Sequence, residues 1–178
     1  MKKVTLHDKT FALSIPYADI QQAIEKVATQ INKDMNGEVP VFVGLLNGAF
    51  MFAADLLKLI ETPCEVSFIK YSSYAGTQSV GEVSELIGLN TDLKNRTVII
   101  LEDIIDTGLT VGRLLKDFQS KELKQVKIAT LLFKPDAFKG DYTVDYIGLS
   151  IPNDFIVGYG LDYDELGRNL KDIYTLVP

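Results

Sequence analysis

Apolar side chains recur along this chain at two different spacings, and the spacing changes where the local structure is expected to change. From Tyr17 to Met35, the residues Ile20, Ile24, Val27, Ile31 and Met35 fall near one face of a repeat of about 3.6 residues, which predicts an amphipathic helix. Pro16 suits its first turn, and Asn36-Gly37 suits its stop. Val39 to Leu46 is mostly apolar and partly β-branched, a predicted buried strand in which Pro40 is tolerable only near the start. Asn47-Gly48-Ala49 breaks it, and Phe50 to Ile60 has helical character. Glu65 to Tyr71 predicts a second strand. Ser72 to Thr91 follows as scattered Gly, Ser and Thr with short β-prone pieces, and a long loop in a compact domain is more often functional than idle. Thr97 to Leu101 predicts a third strand, and its unbroken apolar run from Val98 suits a parallel strand buried on both faces. Gly108 to Ser120 predicts a helix with Val111, Leu114, Leu115 and Phe118 on its inner face. Val126 to Phe133, Tyr146 to Leu149, Phe155 to Tyr159 and Ile173 to Val177 complete the expected strands.

Strands alternating with helices predict an α/β fold: a mainly parallel twisted sheet flanked by helices. The 178 residues suffice for one hydrophobic core and are too few for two ordinary ones, so residues 1–178 are expected to form a single domain. There are no repeats, low-complexity stretches or linkers.

Composition narrows the function. Hydrophobic residues make up 47% and charged residues 24%, ordinary for a soluble globular protein. The net charge is −6, which argues against a nucleic-acid partner, since that needs a basic footprint. A local site for a small anion is still allowed. Cys64 is the only cysteine and His7 the only histidine. That excludes an intrachain disulfide and a Cys/His zinc site. His7 sits in a polar N-terminal stretch and is expected on the surface, whereas Cys64 is expected to be buried or half-buried. The N-terminus lacks the apolar run of a signal peptide, and no stretch is long and apolar enough to cross a membrane. The expected location is the cytoplasm.

The chemistry concentrates in Leu101-Glu102-Asp103-Ile104-Ile105-Asp106-Thr107-Gly108-Leu109-Thr110. A buried strand here delivers adjacent carboxylates to its C-terminal end, the edge where ligands bind in open α/β sheets. The chain then turns into a helix whose N-terminus offers free N–H groups and partial positive charge. Gly108 permits close approach, and the hydroxyls of Thr107 and Thr110 add donors, so the turn suits a phosphate. Glu102 and Asp103 would repel a phosphate, but they suit sugar hydroxyls or a magnesium ion held through its waters. One at a time, Asp106 or Thr107 would be a helix cap and the acids a solvated loop. Several carboxylates and hydroxyls around one strand-to-helix turn point instead to a ligand with hydroxyls, a phosphate and a metal.

This stretch resembles the phosphoribosyl pyrophosphate signature of type I phosphoribosyltransferases, in the form found in the hypoxanthine-guanine branch. The resemblance runs from about Pro16 to Leu176 and is weakest from Ala75 to Thr91. It implies a small hood, built from chain-terminal segments, over the sheet. It implies that Thr107, Gly108, Leu109 and Thr110 hold the 5′-phosphate, with Glu102 and Asp103 on the ribose hydroxyls and on Mg2+. Asp106 becomes the general base or acceptor at the purine N7 proton, and part of the ribose-phosphate site. Leu46-Asn47-Gly48 is similar to the family's pyrophosphate loop, which often carries a cis peptide; Asn47 stands where many relatives have lysine, and Leu109 where some do. Arg168 is similar to a further pyrophosphate contact. Lys134 is implied as donor to the exocyclic oxygen of a 6-oxopurine, Phe155 as the residue stacking on the purine, and Ile156 as the backbone reading the base edge. Asp162 resembles the second-metal ligand beside the purine. Ser73-Tyr74 match a flap that closes over the site and excludes water.

The implied reaction transfers the 5-phosphoribosyl group from phosphoribosyl pyrophosphate to hypoxanthine or guanine, giving IMP or GMP and pyrophosphate in purine salvage. The implied partners are those substrates and further copies of the chain, as a dimer or tetramer. A xanthine-preferring enzyme and a nucleotide-sensing, RNA-binding regulator share the fold and are the alternatives. Acidic balance and the absence of a basic stripe count against the regulator.

Overall fold

A computed structural model describes residues 2–71, 85–87, 89 and 91–177. The main sheet runs β5-β4-β3-β6-β7-β8, with β3 Val41–Leu45, β4 Glu65–Tyr71, β5 Glu85–Ile87, β6 Thr97–Ile105, β7 Gln125–Phe133 and β8 Tyr146–Ser150. Every pairing in it is parallel except that of β5 with β4, so the expected mainly parallel sheet is present.

Helices cover both faces, and the strands show it residue by residue. Phe42, Ile99, Leu101, Ala129 and Leu131 pack towards α1 (Tyr17–Asp34) and α2 (Phe50–Leu57). Val41, Val43, Val98, Ile100 and Ile128 pack towards α3 (Leu109–Phe118). Successive strand residues point to opposite faces, and here both faces are apolar, which is why these strands read as continuous runs. On α1 the expected stripe of Ile20, Ile24, Val27, Ile31 and Met35 is buried. Val111, Leu114 and Phe118 do the same for α3, with Leu115 at the margin of that core.

A second, antiparallel sheet runs β1-β2-β10-β9, with β1 Lys3–Leu6, β2 Lys9–Ile15, β9 Ile156–Val157 and β10 Ile173–Leu176. Both ends of the chain build it, and Phe11, Val157 and Tyr174 form its own small core. Asp172 ties it to the main body: its carboxylate accepts from the backbone N–H of Tyr17 at 3.0 Å, at the start of α1, and from Lys2 Nζ at 2.9 Å.

The structure moves several expected boundaries. The polar N-terminal stretch is a hairpin, β1 to β2, turning at His7, which has φ of 50° and is exposed. Its apolar positions Val4, Leu6, Phe11, Leu13 and Ile15 alternate as a half-buried strand pair requires. The third strand continues past Leu101 to Ile105, because Ile104 and Ile105 pair with Leu132 and Phe133 of β7. Glu102 and Asp103 therefore lie within the strand and are not a loop beyond it. The strand expected from Phe155 to Tyr159 is only Ile156–Val157, since Gly158, Tyr159 and Gly160 all take positive φ and turn the chain. The second helix ends at Leu57, short of Ile60. No described helix is long and apolar enough to cross a membrane.

Candidate functional site

The C-terminal ends of β3, β6 and β7 open beneath the hood into a cavity of about 360 Å³. Sequence positions far apart meet there. Asn47 and Gly48 come from the turn after β3, Glu102 and Asp103 from β6, and Asp106 and Thr110 from the turn into α3. Lys134 follows β7, and Phe155, Ile156, Asp162 and Arg168 descend from the hood side. Thr107, Gly108 and Leu109 line an adjoining cavity of about 240 Å³ that shares Glu102, Asp106 and Thr110 with the first. Ser73 and Tyr74 lie outside the described residues.

At one end, Lys134 is only 6% exposed, so it is not a solvated surface lysine. Its backbone N–H donates to the carbonyl of Ile105 at 3.0 Å, which locks the end of β7 to the end of β6. Its Nζ then donates to Asp106 Oδ2 at 2.9 Å. Phe155 is 44% exposed at the cavity rim, with Phe11 and Tyr163 against its ring. Ile156 is buried beside it.

Beneath the turn, Gly108 has φ of 82°, a left-handed conformation that strains any side-chain-bearing residue. A Cβ there would also strike Phe138 and the hydroxyl of Tyr142, which donates to the Gly108 carbonyl at 2.8 Å. Among the described residues no side chain caps α3, which leaves its first N–H groups available for an anion. Phe138 and Tyr142 form the wall behind this turn and were not expected there; their sole advance signal is an aromatic pair at four-residue spacing.

At the opposite end, the Leu46–Asn47 peptide is cis. Gly48 lies so close to Asp103 that a Cβ would collide with that carboxylate. Arg168 donates through Nη1 to the carbonyl of Gly160 at 2.9 Å, and its Nη2 lies 2.8 Å from Asp162 Oδ1. Its Nε is buried without a hydrogen-bond partner, so the guanidinium keeps donor capacity among the described residues. Asp162 Oδ2 accepts from the backbone N–H of Glu165 at 2.8 Å.

Between the two ends sit the paired acids. Asp103 is 8% exposed, and burial pushes its carboxyl up to about 6. Burial, and then the charge of Asp103, push Glu102 well above the usual carboxylate range. Glu102 Oε2 is buried with no hydrogen-bond partner among the described residues. Such an orphaned oxygen beside a second acid fits a hard cation, whose charge would reverse both shifts. Among the described residues no three His, Cys, Asp or Glu side chains converge as a closed metal cage. The arrangement suits a cation that keeps water and substrate oxygens as most of its ligands.

The chain as a whole has known relatives. A phosphoribosyl transferase domain model matches residues 16–164. A hypoxanthine-guanine phosphoribosyltransferase of Staphylococcus aureus is 41% identical over 174 residues, 97% of each chain. One from Staphylococcus epidermidis is 44% identical over 159 residues, 89% of each chain. The crystal structure of a Staphylococcus aureus hypoxanthine phosphoribosyltransferase superposes with a TM-score of 0.87 at 42% identity, covering 93% of this chain and 91% of that one. A hypoxanthine-guanine phosphoribosyltransferase from Bacillus anthracis gives 0.85 at 38% identity, covering 93% and 97%. With matches of that identity spanning nearly all of both chains, this chain belongs to the phosphoribosyltransferase family, in its hypoxanthine-guanine branch.

Proposed function

We propose that the protein transfers the 5-phosphoribosyl group of phosphoribosyl pyrophosphate to hypoxanthine or guanine, releasing pyrophosphate with IMP or GMP. The observation that carries this is the Lys134–Asp106 pair at 2.9 Å beside Phe155 in one cavity. A 6-oxopurine presents O6, an acceptor, next to N7, which can carry a proton. A buried donor and a carboxylate side by side match that edge, and adenine, whose amino group cannot accept, does not.

In the transfer, the ring nitrogen N9 bonds to the anomeric carbon while the bond from that carbon to the pyrophosphate oxygen breaks. The electron pair leaves with pyrophosphate, and Asp106 accepts the proton displaced from N7. The sugar passes through an oxocarbenium-like state, as in glycoside chemistry. Glu102 and Asp103 orient the ribose hydroxyls and place negative charge near it. Thr107, Gly108, Leu109 and Thr110 hold the 5′-phosphate at the start of α3. Asn47, Gly48 and Arg168 receive the pyrophosphate. The lysine common in relatives at position 47 is replaced by backbone N–H groups and an amide. Phe155 stacks on the base, and the backbone of Ile156 reads its edge. Glu102, Asp103 and Asp162 would hold Mg2+, which when bound neutralises charge developing on the leaving group.

The reaction is assigned to the cytoplasm, with the whole chain working as one unit in a homodimer or homotetramer, to be read by light scattering. The decisive assay supplies phosphoribosyl pyrophosphate and magnesium with hypoxanthine, guanine, xanthine or adenine in parallel. Conversion of hypoxanthine and guanine with adenine inert is the expected result. Preference for xanthine changes the substrate, and no turnover with any base favours the regulator.

A further inference from the structure

Tyr159 is a large polar side chain that the proposed chemistry does not use, yet it is only 1% exposed. It sits between Gly158 and Gly160, and all of these residues have positive φ: 102°, 49° and 98°. For tyrosine that conformation is uncommon and persists only when its surroundings hold it. The holding contacts are explicit. The Tyr159 backbone N–H donates to the Leu170 carbonyl at 2.7 Å. Its hydroxyl donates to Asp55 Oδ2 at 2.5 Å, across the interior, on α2. Gln21 of α1 donates to the same oxygen at 3.1 Å, and Lys58 reaches Asp55 Oδ1 at 2.6 Å. The carboxylate is therefore fixed from several sides.

Both ends of this contact lead to the pyrophosphate half of the cavity. Asp55 lies on α2, the helix that leaves the Asn47–Gly48 turn. Tyr159 precedes Gly160, whose carbonyl accepts from Arg168 Nη1 and whose N–H donates to the Arg168 carbonyl at 3.0 Å. Gly160 also lies directly on the Gly48 carbonyl, where a Cβ would not fit. The Asn47–Gly48 turn and Arg168 thus meet across Gly160, and the only side-chain strut tying Gly160's segment to α2 among the hydrogen bonds of the described residues is Tyr159 to Asp55.

The geometry points to Tyr159 and Asp55 as positioning residues that set the spacing of the pyrophosphate donors, Gly48 and Arg168. Neither lines the cavity: Lys134 follows β7, and Phe155 and Ile156 precede the turn at Gly158, with Ile156 held on β9 by its pairing with β10. This rests on the proposed transferase activity, and it predicts a split that general destabilisation would not produce.

The test is steady-state kinetics on Tyr159→Phe, Asp55→Asn and the double variant, with pyrophosphate product inhibition measured in each. Loss of the contact is expected to raise KM for phosphoribosyl pyrophosphate and the pyrophosphate inhibition constant about tenfold, the size expected for one hydrogen bond to a charged group. KM for hypoxanthine is expected to stay within about twofold, and the double variant to be no worse than the worse single one, as coupled partners require. If Tyr159→Phe fails to fold, Asp55→Asn carries the same measurement. Unchanged constants, or a uniform rise for both substrates, would overturn the inference while the wild type remains active. A wild type inactive with every base would overturn the transferase reading beneath it.

Discussion

Asp106 and Lys134 reach each other across the seam between β6 and β7, Oδ2 to Nζ at 2.9 Å, at the one place where those strands hand over to separate loops. Asp106 keeps 44% of its side chain exposed while Lys134 keeps 8%. The pair is thus asymmetric: a buried ammonium fixed in the protein, and a carboxylate open to the cavity.

Asp106→Asn removes the proposed proton acceptor and keeps the shape. Turnover is expected to fall about 100-fold or more, the usual contribution of one general base, while KM for both substrates changes much less. Rapid-quench or steady-state kinetics read this, and an unchanged kcat would remove Asp106 from the chemistry.

Lys134→Ala deletes the proposed donor to O6 and removes the ammonium paired with Asp106. The ratio of kcat/KM for hypoxanthine over adenine is expected to drop by about 100-fold, mostly through lost hypoxanthine activity. Parallel assays with the two bases check it. Retained selectivity would place base recognition elsewhere.

Gly48→Ala introduces a methyl group where the Asp103 carboxylate now lies. One of the two must move, so kcat/KM for phosphoribosyl pyrophosphate is expected to fall and stability to drop by roughly 1–3 kcal/mol, typical of overpacking. Urea denaturation beside the kinetics separates these effects. A wild-type profile in both would mean the turn relaxes freely.

Asp172 gives the hood an acid-sensitive tie. Lys2, and then the Tyr17 N–H, hold its carboxyl below the ordinary value of 3.8. A carboxyl depressed in the folded state adds stability that is present above 3.8 and is lost as pH falls through the folded value. Denaturation midpoints followed by fluorescence from about pH 6 to about pH 3 should decline more gently in Asp172→Asn than in the wild type. Parallel slopes would show that other groups govern acid unfolding.

The parts of this fold that sequence exposes are those whose neighbours are local. The run Val98 to Leu101 announces a strand buried on both faces, and the acids and hydroxyls from Glu102 to Thr110 announce their turn, because chemistry and structure share one short segment. Even there the strand end is displaced, since Ile104 and Ile105 are held by partners on β7 rather than by their own pattern. The hairpin was legible in the alternation of Val4, Leu6, Phe11, Leu13 and Ile15, but His7 and Asp8 give the stretch a polar look. Tyr159 and Asp55 stand 104 positions apart, and nothing in either neighbourhood names the other. Lys134 is singled out in the sequence by the family resemblance, whereas the Ile105 carbonyl that anchors its backbone appears only in the fold.

The hood also imposes an order in time. β10 lies between β2 and β9, so the N-terminal hairpin has no inner neighbour until β10 is made. On the ribosome, where chains grow at about 5–20 residues per second, the parallel sheet can assemble while β2 still waits with an open edge. The turn into α3 can therefore form in the nascent protein, but the side of the cavity carried by Ile156 on β9 and pinned by β10 closes only once β10 is available. A ribosome-stalled chain ending before Ile173 would be expected to hold a cavity that keeps the turn into α3 and lacks the wall that β9 and β10 build.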